Sequence, residues 1–134
     1  MSTEKNDPLA SLFTNDAKAV DRKQLAELVA PYVSIDKDSK EFGFFPAFSA
    51  LSGNILKIEI LLAAAKARAL YLNEPDGLLP GEMIATGIMA VGSAKSSIKK
   101  LADLHKIKKD KDGRYFLPSY RIVGLVKQIT NANN

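Results

Sequence analysis

One stretch constrains the fold more than any other. From Ser52 to Asn73 the sequence keeps helical periodicity on two sides at once. Ile55, Ile58, Leu61, Leu62, Ala65, Ala69 and Leu72 form one apolar stripe, and Leu56, Ile60, Ala63, Ala67, Leu70 and Tyr71 form a second on the opposite side. Lys57 and Arg68 lie along one flank between the stripes, Glu59 and Lys66 along the other. A helix that is apolar on two faces must be covered on two faces. It is therefore either the central helix of a domain or a helix with one face against a second subunit, and the sequence leaves both open.

Residues 1–20 read as a polar, poorly ordered lead-in in which Leu9, Leu12 and Phe13 follow no sustained period. A helix and hairpin extension is expected over 21–53. Asp21 is a suitable N-cap, Leu25, Leu28 and Val29 recur at helical spacing, and Pro31 limits the helix. Val33 and Ile35 alternate with polar residues, Asp36 to Lys40 is rich in turn formers, and Phe42, Phe44 and Phe45 supply a second strand closed by Pro46.

The main domain is expected over 54–130. After the Glu74-Pro75-Asp76-Gly77 turn, Pro80 opens a helix to Thr86, and Gly87 suits a left-handed cap. Residues 88–92 read as a linker to Ser93, an N-cap for a helix from Ala94 to about Lys106. At about 100° per residue, that helix turns Ala94, Ser97, Ile98, Leu101, Leu104 and His105 inward and Lys95, Ser96, Lys99, Lys100, Asp103 and Lys106 outward. Strands at Ile107–Lys109 and Arg114–Leu117 flank the Asp110–Gly113 turn. A last helix spans Ser119 to Ile129, and 131–134 reads as a frayed tail. The expected class is mainly α with short β-hairpins, α+β.

Charge is where the chain is least uniform. Its net +4 is concentrated between Lys95 and Arg114, where eight basic residues stand against three acids, and the rest is almost neutral. Local positive charge is the footprint of a polyanion site, although a lysine cluster also serves as a plain solvated face. The order of elements with these residues resembles the winged helix-turn-helix superfamily over roughly 54–118. Thr86-Gly87-Ile88 looks like the end of that family's second helix, Ser93 through Leu101 like its recognition helix, and Lys108 through Phe116 like its wing. The N-terminal helix and hairpin would be an extension of the minimal fold, and the C-terminal helix would follow it.

The resemblance implies double-stranded DNA as partner. The 93–106 helix would enter the major groove and the 107–117 wing would meet the adjacent backbone. Lys95, Ser96 and Lys99 would face base edges, with Ser93, Lys100, Lys106, Lys109, Lys111 and Arg114 on phosphates. A homodimer acting in transcription regulation, or as a DNA-site factor, is the expectation. The alternative is a winged-helix assembly module that meets an acidic protein partner without binding DNA. RNA binding is a third reading, weakened because Tyr115 is the only aromatic residue beside the patch.

Other chemistry fails on composition and spacing. There are no cysteines and one histidine, which excludes disulfides, thiolate metal sites and multi-histidine sites. Gly87 to Gly92 has P-loop glycine spacing, but Ser93 stands where lysine must follow. Asp36-Lys37-Asp38-Ser39-Lys40 begins like a calcium loop, then places Lys40 at a ligand position. His105 has no evident catalytic partner. No enzyme, cofactor or metal site is expected. No secretory leader or membrane-length apolar run is visible, so the expected location is cytoplasmic.

Overall fold

The structure is a computed structural model that describes residues 7–13 and 15–132. After a single 3-10 turn, Pro8–Leu12, come α1 (Arg22–Val29) and a hairpin of β1 (Val33–Ile35) and β2 (Phe42–Phe44). A one-turn helix α2 (Pro46–Ser49), the long α3 (Asn54–Leu72), α4 (Pro80–Ala85) and α5 (Val91–Asp103) follow. A second hairpin, β3 (Lys108–Lys109) and β4 (Tyr115–Phe116), leads into α6 (Ser119–Ala132). The fold is mainly helical, with two small antiparallel hairpins, as the mixed α+β expectation has it. No helix among the described residues is long and apolar enough to cross a membrane.

The two-sided helix is the centre of the chain. Ile58 through Lys66 are all buried in α3, on both stripes. α1, β1, α5 and β4 pack against it, and α1 also packs against α6. Leu25, Leu28, Tyr32 and Phe48 belong to the same core as Leu61, Leu101 and Leu125, so residues 21–53 share their core with the rest. Both stripes are thus covered within one chain, and over this buried stretch α3 has no face left for a second subunit. The helix ends where Asn73 takes a left-handed conformation, φ 56°, and Glu74 N–H donates to the Ala69 carbonyl.

The charged flank of α3 is buried too, which periodicity did not anticipate. Glu59 and Lys66 are each only 1% exposed. Glu59 accepts from Arg121 of α6 at 2.7 Å. Lys66 donates to Asp16 at 2.5 Å and to Asp76, with its ammonium 5.5 Å from the centre of the Phe116 ring. Asp16 also accepts from the Ser119 N–H at 2.7 Å, at the start of α6. Residues 15–20, expected as part of a loose lead-in, are therefore tied to α3 and α6. Residues 1–6 of that lead-in lie outside the described residues.

The two carboxyls respond to this cluster in opposite senses. Partial burial disfavours charge on Asp16, but the bonds from Lys66 and Ser119 outweigh it and hold the group below its usual 3.8. Asp76 lies above 3.8 because burial outweighs the attraction of Lys66. Asp16 thus contributes stability that is full above pH 3.8 and is lost as pH falls through its lowered value; the Asp76 contribution is present below 3.8 and is lost as pH rises through its raised one. The stability deficit of Asp16→Asn is expected to be largest above pH 3.8 and to close in acid. Urea titrations across that window check this, and a deficit that widens in acid contradicts the arrangement.

The second hairpin is joined by a third chain segment. Leu78 and Tyr115 exchange backbone hydrogen bonds at 2.9 and 2.8 Å in an isolated antiparallel bridge. Gly77 makes this approach feasible. Its φ is +89°, and a Cβ there would lie 2.5 Å from the Tyr115 carbonyl oxygen. Gly77→Ala is expected to cost about 2 kcal/mol or more, as left-handed strain adds to the backbone collision. A chemical-denaturation midpoint unchanged from wild type would contradict that.

Three boundaries differ from the sequence reading. The second strand ends at Phe44, one residue before the expected Phe45, and Pro46, expected to close the hairpin, also opens α2 at the first helical position, where its missing N–H costs nothing. α6 runs on to Ala132, so half of the expected 131–134 tail is helical; Asn133 and Asn134 lie outside the described residues. α5 begins at Val91 with Ala90 as its cap residue, three residues before the expected start, and ends at Asp103. Gly92 and the lack of a capping side chain hide that start in the sequence, and packing of Ala94, Ile98 and Leu101 supplies what propensity does not.

Candidate nucleic-acid interface

Helix α5 carries the candidate site because one of its faces is fixed. Ala94, Ser97, Ile98 and Leu101 are buried, and α5 packs on both α3 and α4. The remaining face then has only one direction to point. Lys95, Ser96, Lys99 and Lys100 are exposed along it, as the helical spacing predicts. Lys99 makes one ion pair, with Asp103 at 3.3 Å, but both side chains are well exposed. An exposed i,i+4 pair is worth only about 0.3–0.5 kcal/mol, so it does not hold Lys99 away from a stronger anion.

The early start changes the role of Ser93. It is not the N-cap but lies within the first turn, half-buried, and its carbonyl accepts from the Ser96 hydroxyl at 3.2 Å. Ala90 has no side-chain cap to offer, so the first-turn N–H groups of α5 are without a side-chain acceptor. The connection from α4 is 86–90, with Gly87 at φ 71° as expected of a left-handed cap.

At the other end, Leu104 and His105 do not continue the inward face. Helix α5 has ended, His105 takes φ 58°, and Leu104 is 52% exposed. Ile107, beyond the helix, is the buried residue of this stretch. Lys106 accordingly belongs to the turn after α5 and is half-buried.

The second hairpin places the remaining candidates. Lys109 and Lys111 are exposed, and the Lys109 ammonium lies 5.6 Å from the Tyr115 ring centre. The Asp110 carboxylate accepts from the Asp112 and Arg114 N–H groups at 2.9 Å each, which fixes the turn. Arg114 is half-buried. Its guanidinium donates to Glu82 of α4 at 3.1 Å, and the same carboxylate oxygen accepts the Leu79 N–H at 2.8 Å. Lys108, outside the expected set, lies 5.4 Å from the ring centre of exposed Tyr120, whose hydroxyl donates to the His105 carbonyl. The patch therefore has a second aromatic neighbour, contributed by α6, that residue order along the chain could not show.

Among the described residues, no group of three His, Asp or Glu side chains gathers into a metal-holding arrangement. Comparisons of the chain with protein-family models, with curated proteins and with solved structures give no match.

Proposed function

We propose that the chain is a winged helix-turn-helix DNA-binding protein, acting in the cytoplasm as a dimeric transcriptional regulator or DNA-site factor and not as an enzyme. The observation that carries this reading is the uncovered Lys95, Ser96, Lys99 and Lys100 face on a helix whose opposite face is locked against α3 and α4. The order α3, Leu78 bridge, α4, α5, β3 and β4 supports it. In this reading α4 and α5 are the two helices of the motif, and α5 enters the major groove. The second hairpin is the wing, with Lys109 and Lys111 on the adjacent backbone. No arginine stands on the exposed face of α5, so phosphate contacts dominate over bidentate guanine readout.

The test is fluorescence anisotropy of a mixed-sequence duplex titrated at several salt concentrations. A log–log salt slope of roughly −4 or steeper means several phosphates are neutralised per complex. Absence of binding even at low salt rejects the reading. It would favour an assembly module with an acidic protein partner, for which exposed Val91 and Leu104 at the two ends of the basic helix speak.

The Arg114–Glu82 pair gives a second expectation. Glu82→Gln keeps an acceptor for the Leu79 N–H but releases the guanidinium and removes a negative charge beside the interface. Duplex affinity at about 0.1 M salt is expected to rise roughly three- to tenfold, one added phosphate contact. Unchanged affinity would mean that Arg114 has no part in binding.

A further inference from the structure

The buried α3 leaves a dimer without an obvious surface, and two other features supply one. The first is an arm. Leu9, Leu12 and Phe13 are 59%, 72% and 82% exposed, around a 3-10 turn capped by the Asp7 carboxylate on the Leu9 N–H. The arm is tethered just behind by Asp16, held on Lys66 and on the first N–H of α6. The second is a groove of about 650 Å³ at the far end of α3 and α6, lined by Tyr32, Ala50, Leu51, Leu56 and Ile129. Among the described residues no charged side chain lines it, whereas Lys18, Arg22, Lys66, Glu74 and Asp76 line the cavity beside the tether. None of the described arm residues lines the groove of its own chain.

We propose that the groove receives Leu9, Leu12 and Phe13 of a second copy, and gives its own arm in return. The exchange is isologous, so one surface pair is used twice about a two-fold axis. Burying three large side chains and the groove surface they fill, twice, removes on the order of 1,200 Å² from water, the lower end of a standard stable interface. This rests on the dimeric part of the proposed function and not on its DNA binding.

The chain has no cysteine, so disulfide trapping has no background. Ala10 and Ala50 are both exposed, one in the arm and one in the groove, and small enough to replace without loss of packing. Mild oxidation of the Ala10→Cys/Ala50→Cys protein, free of DNA, is expected to give a covalent dimer on a denaturing gel that reductant returns to single chains. A disulfide within one chain overturns the proposal, because the arm then covers its own groove. No disulfide at all overturns it as well. Sedimentation gives the second readout. Wild type is expected to be dimeric, and Leu12→Ser/Phe13→Ser and Ala50→Arg each monomeric with an unchanged melting temperature of the monomer. A dimer that survives both variants places the interface elsewhere. Neither readout contains DNA, so a failed duplex titration leaves both intact.

Discussion

Replacing Lys99 and Lys100 together with alanine is expected to weaken duplex binding roughly 10- to 100-fold at about 0.1 M salt, and to flatten the log–log salt slope by about 2. Each lysine that neutralises a phosphate releases a condensed counterion, and that release is lost when the charge is removed. The part of the loss carried by phosphate contacts should be uniform over sequences, since a lysine on phosphate positions the protein without reading bases, while Lys99, expected at base edges, adds a sequence-dependent part. Lys95 and Ser96 lie nearer the start of α5, and the first turn of a recognition helix is the part that approaches base edges. Lys95→Ala is therefore expected to change preference among sequences, with a slope change of about 1. Folding should be indifferent to all three substitutions, because these side chains are exposed and Lys99 has only a solvated partner. Binding and slope unchanged in Lys99→Ala/Lys100→Ala would remove α5 from the interface.

What the sequence made legible follows from where the determining interactions lie. The exposed face of α5 was readable because Ala94, Ile98 and Leu101 repeat at helical spacing, and the face opposite an apolar stripe must be wet. The caps Asp21 and Gly87 were readable because capping is a local affair of hydrogen bonds and φ. The start of α5 was not, because nothing local marks Ala90 and the helix is held from outside by α3. The neighbours of Arg114 in the chain suggest a phosphate contact for it. In the structure its guanidinium donates to Glu82, which lies on another element and comes within reach through the bridge of Leu78 to Tyr115. The same holds for Tyr120 beside Lys108. Two-sided apolarity of α3 left two outcomes open, and they were separated by residues 21–53, whose apolar side chains cover one side.

The largest expected change in stability is at Lys66, and it follows from a tether that no local pattern contains. Lys66→Ala is expected to destabilise the fold by about 3 kcal/mol in urea unfolding. The substitution removes a buried ammonium and its stem, leaves a gap under Phe116 and strands two carboxylates. Asp16 and Asp76 keep 38% and 28% side-chain exposure, so water partly resolvates them, which puts the cost at the low end for a broken buried pair. The cost should belong to the stranded charges more than to the missing cation. If so, the triple variant Asp16→Asn/Lys66→Met/Asp76→Asn recovers most of the loss, because methionine refills the space of the lysine stem and neutral amides have no charge to strand. Lys66→Ala within about 1 kcal/mol of wild type would mean that the ion cluster holds nothing together. A triple variant as unstable as the single one would instead assign the stability to the cation itself, held between Asp16, Asp76 and the face of Phe116.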